Sequence, residues 1–263
     1  NLQVFLARHV NAFLLVFISG FGGGVRSLLE WLRRGAGWAA IMRVHCAARL
    51  HALRHLPIMG RLYPLQRFPP MSLLILGLVL FLGVHSVRIV ADGWRTRMRE
   101  RLGEGRWKGL YSLLSFAGLI FIVWGYGLAR QDPVLLWSPP VAMRHAASLL
   151  TLAAFILLVA AYVPRNAFKA RLHHPMVLSV KVWALAHLLS NGNMADVLLF
   201  GGFLLWAVLD FRAARLRDRA QGTAYPSGTL AGTAMTGVLG LVAWAVFAFW
   251  GHALLIGVSP MGR

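Results

Sequence analysis

Two histidines lie deep inside apolar runs: His85, in Gly83-Val84-His85-Ser86, and His187, in Trp183-Ala184-Leu185-Ala186-His187-Leu188. A neutral imidazole has one nitrogen that donates and one that accepts, so its lone pair can hold a metal. Two such rings from separate helices can hold haem b, one on each face of the macrocycle. Ionisable side chains at membrane depth are costly and usually mark function. The residues alone leave two readings open. Either His85 and His187 are a pair of axial ligands, or each is a buried histidine donating to a backbone carbonyl or a neighbouring serine. His187 follows Trp183 by one helical turn and precedes Asn191 by one, so these three share a face. Lys181, in the same segment, either extends to the nearer membrane face or joins the site, for instance beside a haem propionate.

The other polar candidates have plainer accounts. His145 and His252 fall near span ends, where interfacial solvation explains them. Asp196 and Asp210 flank a span, and placement at helix ends accounts for both. The arginines from Arg95 to Arg101 read as an orientation signal, with contact to anionic lipid second. Cys46 is the single cysteine, which excludes an intrachain disulfide and a thiolate metal cluster. There is no HExxH, GxSxG or Walker loop, and Gly20-Phe21-Gly22-Gly23-Gly24 precedes no credible nucleotide-binding fold.

The elements that must position these residues are membrane spans. Hydrophobic residues make up 58% of the 263, with 13% charged and a mean hydropathy of +0.64; a soluble domain of this size is about a quarter charged. Apolar runs near the ~20 residues needed to cross a bilayer recur along the chain. They predict an all-α polytopic transmembrane helical bundle of about six spans, over 72–91, 109–129, 144–162, 175–190, 194–211 and 232–256. The fourth, at 1.5 Å per residue, covers only ~24 Å. Gly118 and Gly125 in the second span, and Gly232, Thr236 and Gly240 in the sixth, are expected where helices approach closely.

The net charge of +19 does not indicate nucleic acid, because the basic residues sit in short loops between apolar runs. One set of loops carries Arg88, Arg95, Arg97, Arg99, Arg101, Arg106, Lys108, Arg165, Lys169, Arg171, Arg212, Arg215, Arg217 and Arg219. The other side has Arg130, Arg144 and Arg263. This imbalance places the first set in the cytoplasm and both ends of the 71–263 unit outside it. With that topology His85 lies ~10 Å and His187 ~17 Å from the cytoplasmic end, an offset that fits a tilted haem between two neighbouring helices.

Residues 1–70 differ from the rest: nine arginines, no lysine and Glu30 as the sole acid. Their best apolar run, Val10 to Ser19, is too short to span. An amphipathic arm, a targeting segment and translated upstream sequence are the competing readings; the third, with Met71 as the true start, is the one adopted, because Met71 opens directly into a span.

Several segments together resemble one family. They are Leu76-Gly77 to His85-Ser86, Gly103 to Ser112 (GEGRWKGLYS), Tyr162-Val163-Pro164-Arg165-Asn166, His174-Pro175, and Trp183 to Leu188. In this order they are similar to the NnrU family of bacterial integral membrane proteins, from Met71 to about Val258. The resemblance implies a place in the inner membrane and an association with denitrification, with nitrogen-oxide reductase components as partners. The family is in turn similar to the plastid 15-cis-zeta-carotene isomerase, a haem b enzyme with axial histidines on separate helices; the matching motifs fall at His85 and His187. That comparison implies haem b on these two residues. It leaves two alternatives, a haem-dependent polyene cis–trans isomerase and a haem-free assembly factor for a reductase. His174-Pro175 is also similar to the Arg-His-Pro segment of membrane methyltransferases, but His173 replaces the arginine and no acidic residue lies nearby in sequence.

Overall fold

The structure, a computed structural model, describes residues 70–261. The expectations placed on the segment before Pro70 lie outside the described residues. Among the described residues nine α-helices follow one another: α1 Pro70–Val90, α2 Asp92–Leu102, α3 Glu104–Ala129, α4 Val141–Tyr162, α5 Ala167–Leu172, α6 Pro175–Ser190, α7 Met194–Gln221, α8 Leu230–Val246 and, after a π-helical turn at Phe247–Gly251, α9 His252–Ile256. Among the described residues the one β feature is an isolated bridge between Leu135 and Asn193.

Local chemistry sets several boundaries. Asn166 caps α5 by accepting from the Lys169 amide at 2.8 Å, and Thr229 caps α8 by accepting from Gly232 at 3.1 Å; both satisfy an amide without an intrahelical partner. Pro175 opens α6, where its missing N–H costs nothing. Gly222 ends α7 with a φ of 61°, which a residue without Cβ adopts freely.

Among the described residues five helical segments are long and apolar enough to cross a membrane: Met71–Val90, Glu104–Ala129, Val141–Tyr162, Met194–Gln221 and Leu230–Ile256. The expected fourth span is present as α6, only 16 residues long. The segment expected as a loop after the first span is instead helix α2. Arginine, methionine and glutamate are good helix formers, and Gly103 stops the run at a φ of 78°. Helix α7 also runs ten residues beyond the predicted end at 211, carrying its arginines past the apolar stretch.

The helices pack as a row: α3 on α1, α1 on α7, α7 on α6, α6 on α4 and α4 on α8. Small residues set the crossings. A Cβ on Gly118 would come within 2.7 Å of the Phe81 amide nitrogen, and one on Gly240 within 2.7 Å of the Ile156 Cα. Such contacts let backbones touch in lipid, where packing rather than water drives association. Helix α7 stands in the middle of the row. Neither α1 nor α6 packs comparably on the other, so the expectation that the two histidine-bearing helices are direct neighbours is corrected: each is a neighbour of α7.

Candidate functional site

The period of α7 divides its inward surface between two partners. At 100° per residue, Asp196, Phe200 and Ala207 point one way, and Leu199, Trp206 and Asp210 lie further round. From the first set Phe200 meets α6, and from the second Trp206 meets α1. His187 stacks on Phe200 with centroids 4.5 Å apart. His85 meets Trp206 edge-on at 6.0 Å and Tyr111 of α3 at 5.3 Å. Phe203 lies between the sets and touches both flanks, Phe81 of α1 at 5.8 Å and Trp183 of α6 at 5.7 Å. Phe81 stacks on His85 at 4.3 Å and Trp183 packs on His187 at 5.1 Å. A continuous row of rings, Phe81–Phe203–Trp183, therefore joins the two imidazoles across α7. Six residues separate Phe200 from Trp206, so the histidines contact α7 at levels ~9 Å apart.

Each histidine is held the same way. His85 Nδ1 is 2.7 Å from the Phe81 carbonyl oxygen, and His187 Nδ1 is 2.9 Å from that of Trp183. A carbonyl only accepts, so Nδ1 carries the proton and Nε2 of a neutral ring keeps its lone pair. Among the described residues neither Nε2 makes a hydrogen bond. Histidine ligands of metals are commonly oriented by such a bond from the opposite nitrogen. The same bond is also what a buried structural histidine makes, so it serves both readings of the sequence. The Trp206 indole N–H, beside His85, is buried without a protein partner, as are the Trp124 indole N–H and the Ser115 hydroxyl. In donor chemistry two such imidazoles suit a haem b, and the rings of Phe81, Phe203 and Trp183 occupy the space between them. Phe203 is the side chain such a macrocycle has to lie against or displace.

Two polar clusters went unread in the sequence. Near the end of the row opposite the basic loops, Asp196 is 3% exposed. It accepts from the Tyr126 hydroxyl at 2.6 Å and from the Asn193 side-chain amide at 3.1 Å. The Asn193-x-x-Asp196 spacing at a helix start was the available signal; Tyr126 had none, being 70 residues away. At the basic end, His174 Nε2 lies 2.8 Å from Asp218 Oδ2, and the Tyr225 hydroxyl donates to the same oxygen at 2.9 Å. The acidic partner missing from the neighbourhood of His174 in sequence thus arrives from 44 residues away. Burial raises the Tyr225 hydroxyl above its ordinary value, and the bond to Asp218 and its negative charge add to this. His173, with a φ of 63°, is shifted down by its partial burial and by the charge of Arg215.

The remaining candidates fall where they carry less. His145 is exposed. His252 bonds through Nδ1 to the Val258 carbonyl at 2.6 Å. Lys181 places its ammonium 4.6 Å from the centre of the Phe211 ring. Asp210 faces Arg217 at 3.9 Å. Among the described residues no group of three or more His, Cys, Asp or Glu is placed to hold a metal ion.

Comparison with known proteins gives one match. The family model described as NnrU protein matches residues 73–260. No curated protein and no solved structure matches the chain.

Proposed function

The chain belongs to the NnrU family, and on that premise we propose that it is an inner-membrane protein of nitrogen-oxide metabolism that binds haem b through His85 and His187. Its apolar helices make it a multi-pass membrane protein. The observation that supports the haem reading is the repeated device at the two histidines: Nδ1 is fixed by the carbonyl one turn back, Nε2 is left over, and each ring packs on an aromatic side chain of α7, His85 on Trp206 and His187 on Phe200. When bound, haem b would supply one-electron chemistry between two imidazoles set among apolar rings. The protein's own part is to hold two imidazoles in a fixed tautomer, surround them with apolar rings and offer the Trp206 N–H to a polar group. Lys181 is the cation on α6 available to a carboxylate, at the price of its contact with Phe211.

A reduced-minus-oxidised absorbance spectrum of the purified chain tests this reading. A six-coordinate b-type spectrum is expected; a colourless preparation after expression with added haem precursor would favour the haem-free assembly factor. A polyene isomerisation assay on the same preparation tests the enzymatic alternative. The fourteen-to-three distribution of basic residues supports a cytoplasmic position for the basic loops. Reporter fusions after Arg99, Lys169 and Arg215 are expected to report cytoplasm, and those after Asp132 and at Arg263 the outside. A cytoplasmic signal at Arg263 would overturn that orientation.

A further inference from the structure

Helix α7 outlasts its apolar stretch, and what it carries there is ordered. Phe211, Arg212, Arg215, Leu216 and Arg219 line a cleft of about 400 Å³ at the basic end. At 100° per residue these five positions fall within an arc of about 140°. The same stripe continues into the span above: Leu205 and Val208, both exposed apolar residues, lie three residues apart, and Val208 lies four residues before Arg212. The side of α7 that looks outward from the row thus changes from leucine and valine to arginine at one level.

An orientation signal needs only charge in a loop, whereas these three arginines line one cleft on one side of a helix. Arg217, on the opposite side of the helix, pairs with Asp210 at 3.9 Å and donates to the Arg88 carbonyl at 3.4 Å. The side chains of Arg212, Arg215 and Arg219 make no ion pair or hydrogen bond among the described residues. The nearest acid in sequence, Asp218, already accepts from His174 and Tyr225. Three unpaired planar donors around a cleft suit the oxygens of a phosphate, which takes several charge-assisted bonds at once.

We infer that this cleft binds the phosphate of an anionic phospholipid headgroup, with the acyl chains lying along Leu205 and Val208. The continuity of the arginine stripe with the exposed apolar stripe is what selects a lipid over a free phosphate compound, which has no use for the apolar half.

Native mass spectrometry of the purified full chain tests this with phosphatidylglycerol and phosphatidylcholine of identical acyl chains. The wild type is expected to retain phosphatidylglycerol preferentially. Arg212→Gln/Arg215→Gln/Arg219→Gln is expected to weaken that retention by about a hundredfold, because it removes the charge-assisted hydrogen bonds to one phosphate. The same charge change at Arg97→Gln/Arg99→Gln/Arg101→Gln, outside the cleft, makes no such bond and is expected to cost far less. Should the first triple variant not fold, Arg215→Gln alone is expected to cost about fivefold, and Arg215→Lys to restore part of it. Equal retention of the two lipids, or equal loss in the two triple variants, overturns the proposal. Retention of inorganic phosphate by the wild type and its loss in the triple variant, without selection between the lipids, would assign the cleft to a free phosphate compound and overturn the lipid assignment.

Discussion

The aromatic layer around α7 and the latch at its basic end both use histidine, and they commit opposite nitrogens. In the layer, His85 and His187 spend Nδ1 on their own helix, so Nε2 of a neutral ring remains for a ligand. In the latch, His174 spends Nε2 on Asp218, an acceptor it shares with Tyr225. The first arrangement holds a ring in place without using its outward nitrogen. The second uses that nitrogen to tie the start of α6 to the end of α7. The difference teaches that what a histidine does is set by which nitrogen its surroundings leave over, and residue type alone does not say.

The largest expected effect breaks the layer. His85→Ala and His187→Ala should each abolish a paired-imidazole spectrum, while His145→Ala, His252→Ala and His174→Ala leave it intact, all read by reduced-minus-oxidised absorbance. Loss of the spectrum in His174→Ala would mean that the two regions are not separable. Next, Asp218→Asn should destabilise the protein by about 2 kcal/mol, the scale of hydrogen bonds to a charged acceptor, seen as a lower midpoint of thermal unfolding with the spectrum unchanged.

Tyr126→Phe removes one donor from the buried Asp196 and should cost about 1–2 kcal/mol by the same measurement. A cost near zero would show that Asn193 alone satisfies that carboxylate. The smallest effect is at Lys181, where Lys181→Met should cost at most about 1 kcal/mol, the cation–π contact over Phe211.

A pH dependence sharpens the latch. Because Tyr225 is raised above its ordinary value in the folded protein, its contribution is complete below about pH 10. It is then lost as pH rises through the folded value, where the hydroxyl ionises beside Asp218. Tyr225→Phe should remove that alkaline component from a pH series of unfolding midpoints. An unchanged series would show that the hydroxyl is not linked to folding.

Residue types and periods by themselves determined the membrane class and the spans and singled out His85 and His187 as candidates, and the order of several motifs pointed to the family. Apolar runs near the length of a bilayer are visible without coordinates, and an isolated histidine stands out against them. The small residues at Gly118 and Gly240 were equally legible, since close packing in lipid asks for small side chains at one-turn spacing. What pattern reading missed locally was α2, because an arginine-rich stretch between spans satisfies a loop and a helix alike.

Only the tertiary structure decided the rest. It placed α7 between the two histidine helices, with Phe203 touching both flanks, which no periodicity ranks ahead of other helix orders. It brought Asp218 to His174 across 44 residues and Tyr126 to Asp196 across 70. Local spacing governs what a residue shares a face with. A hydrogen bond between distant segments depends on which helices pack together, and that is settled by the summed contacts of whole helices rather than by the residues that make the bond.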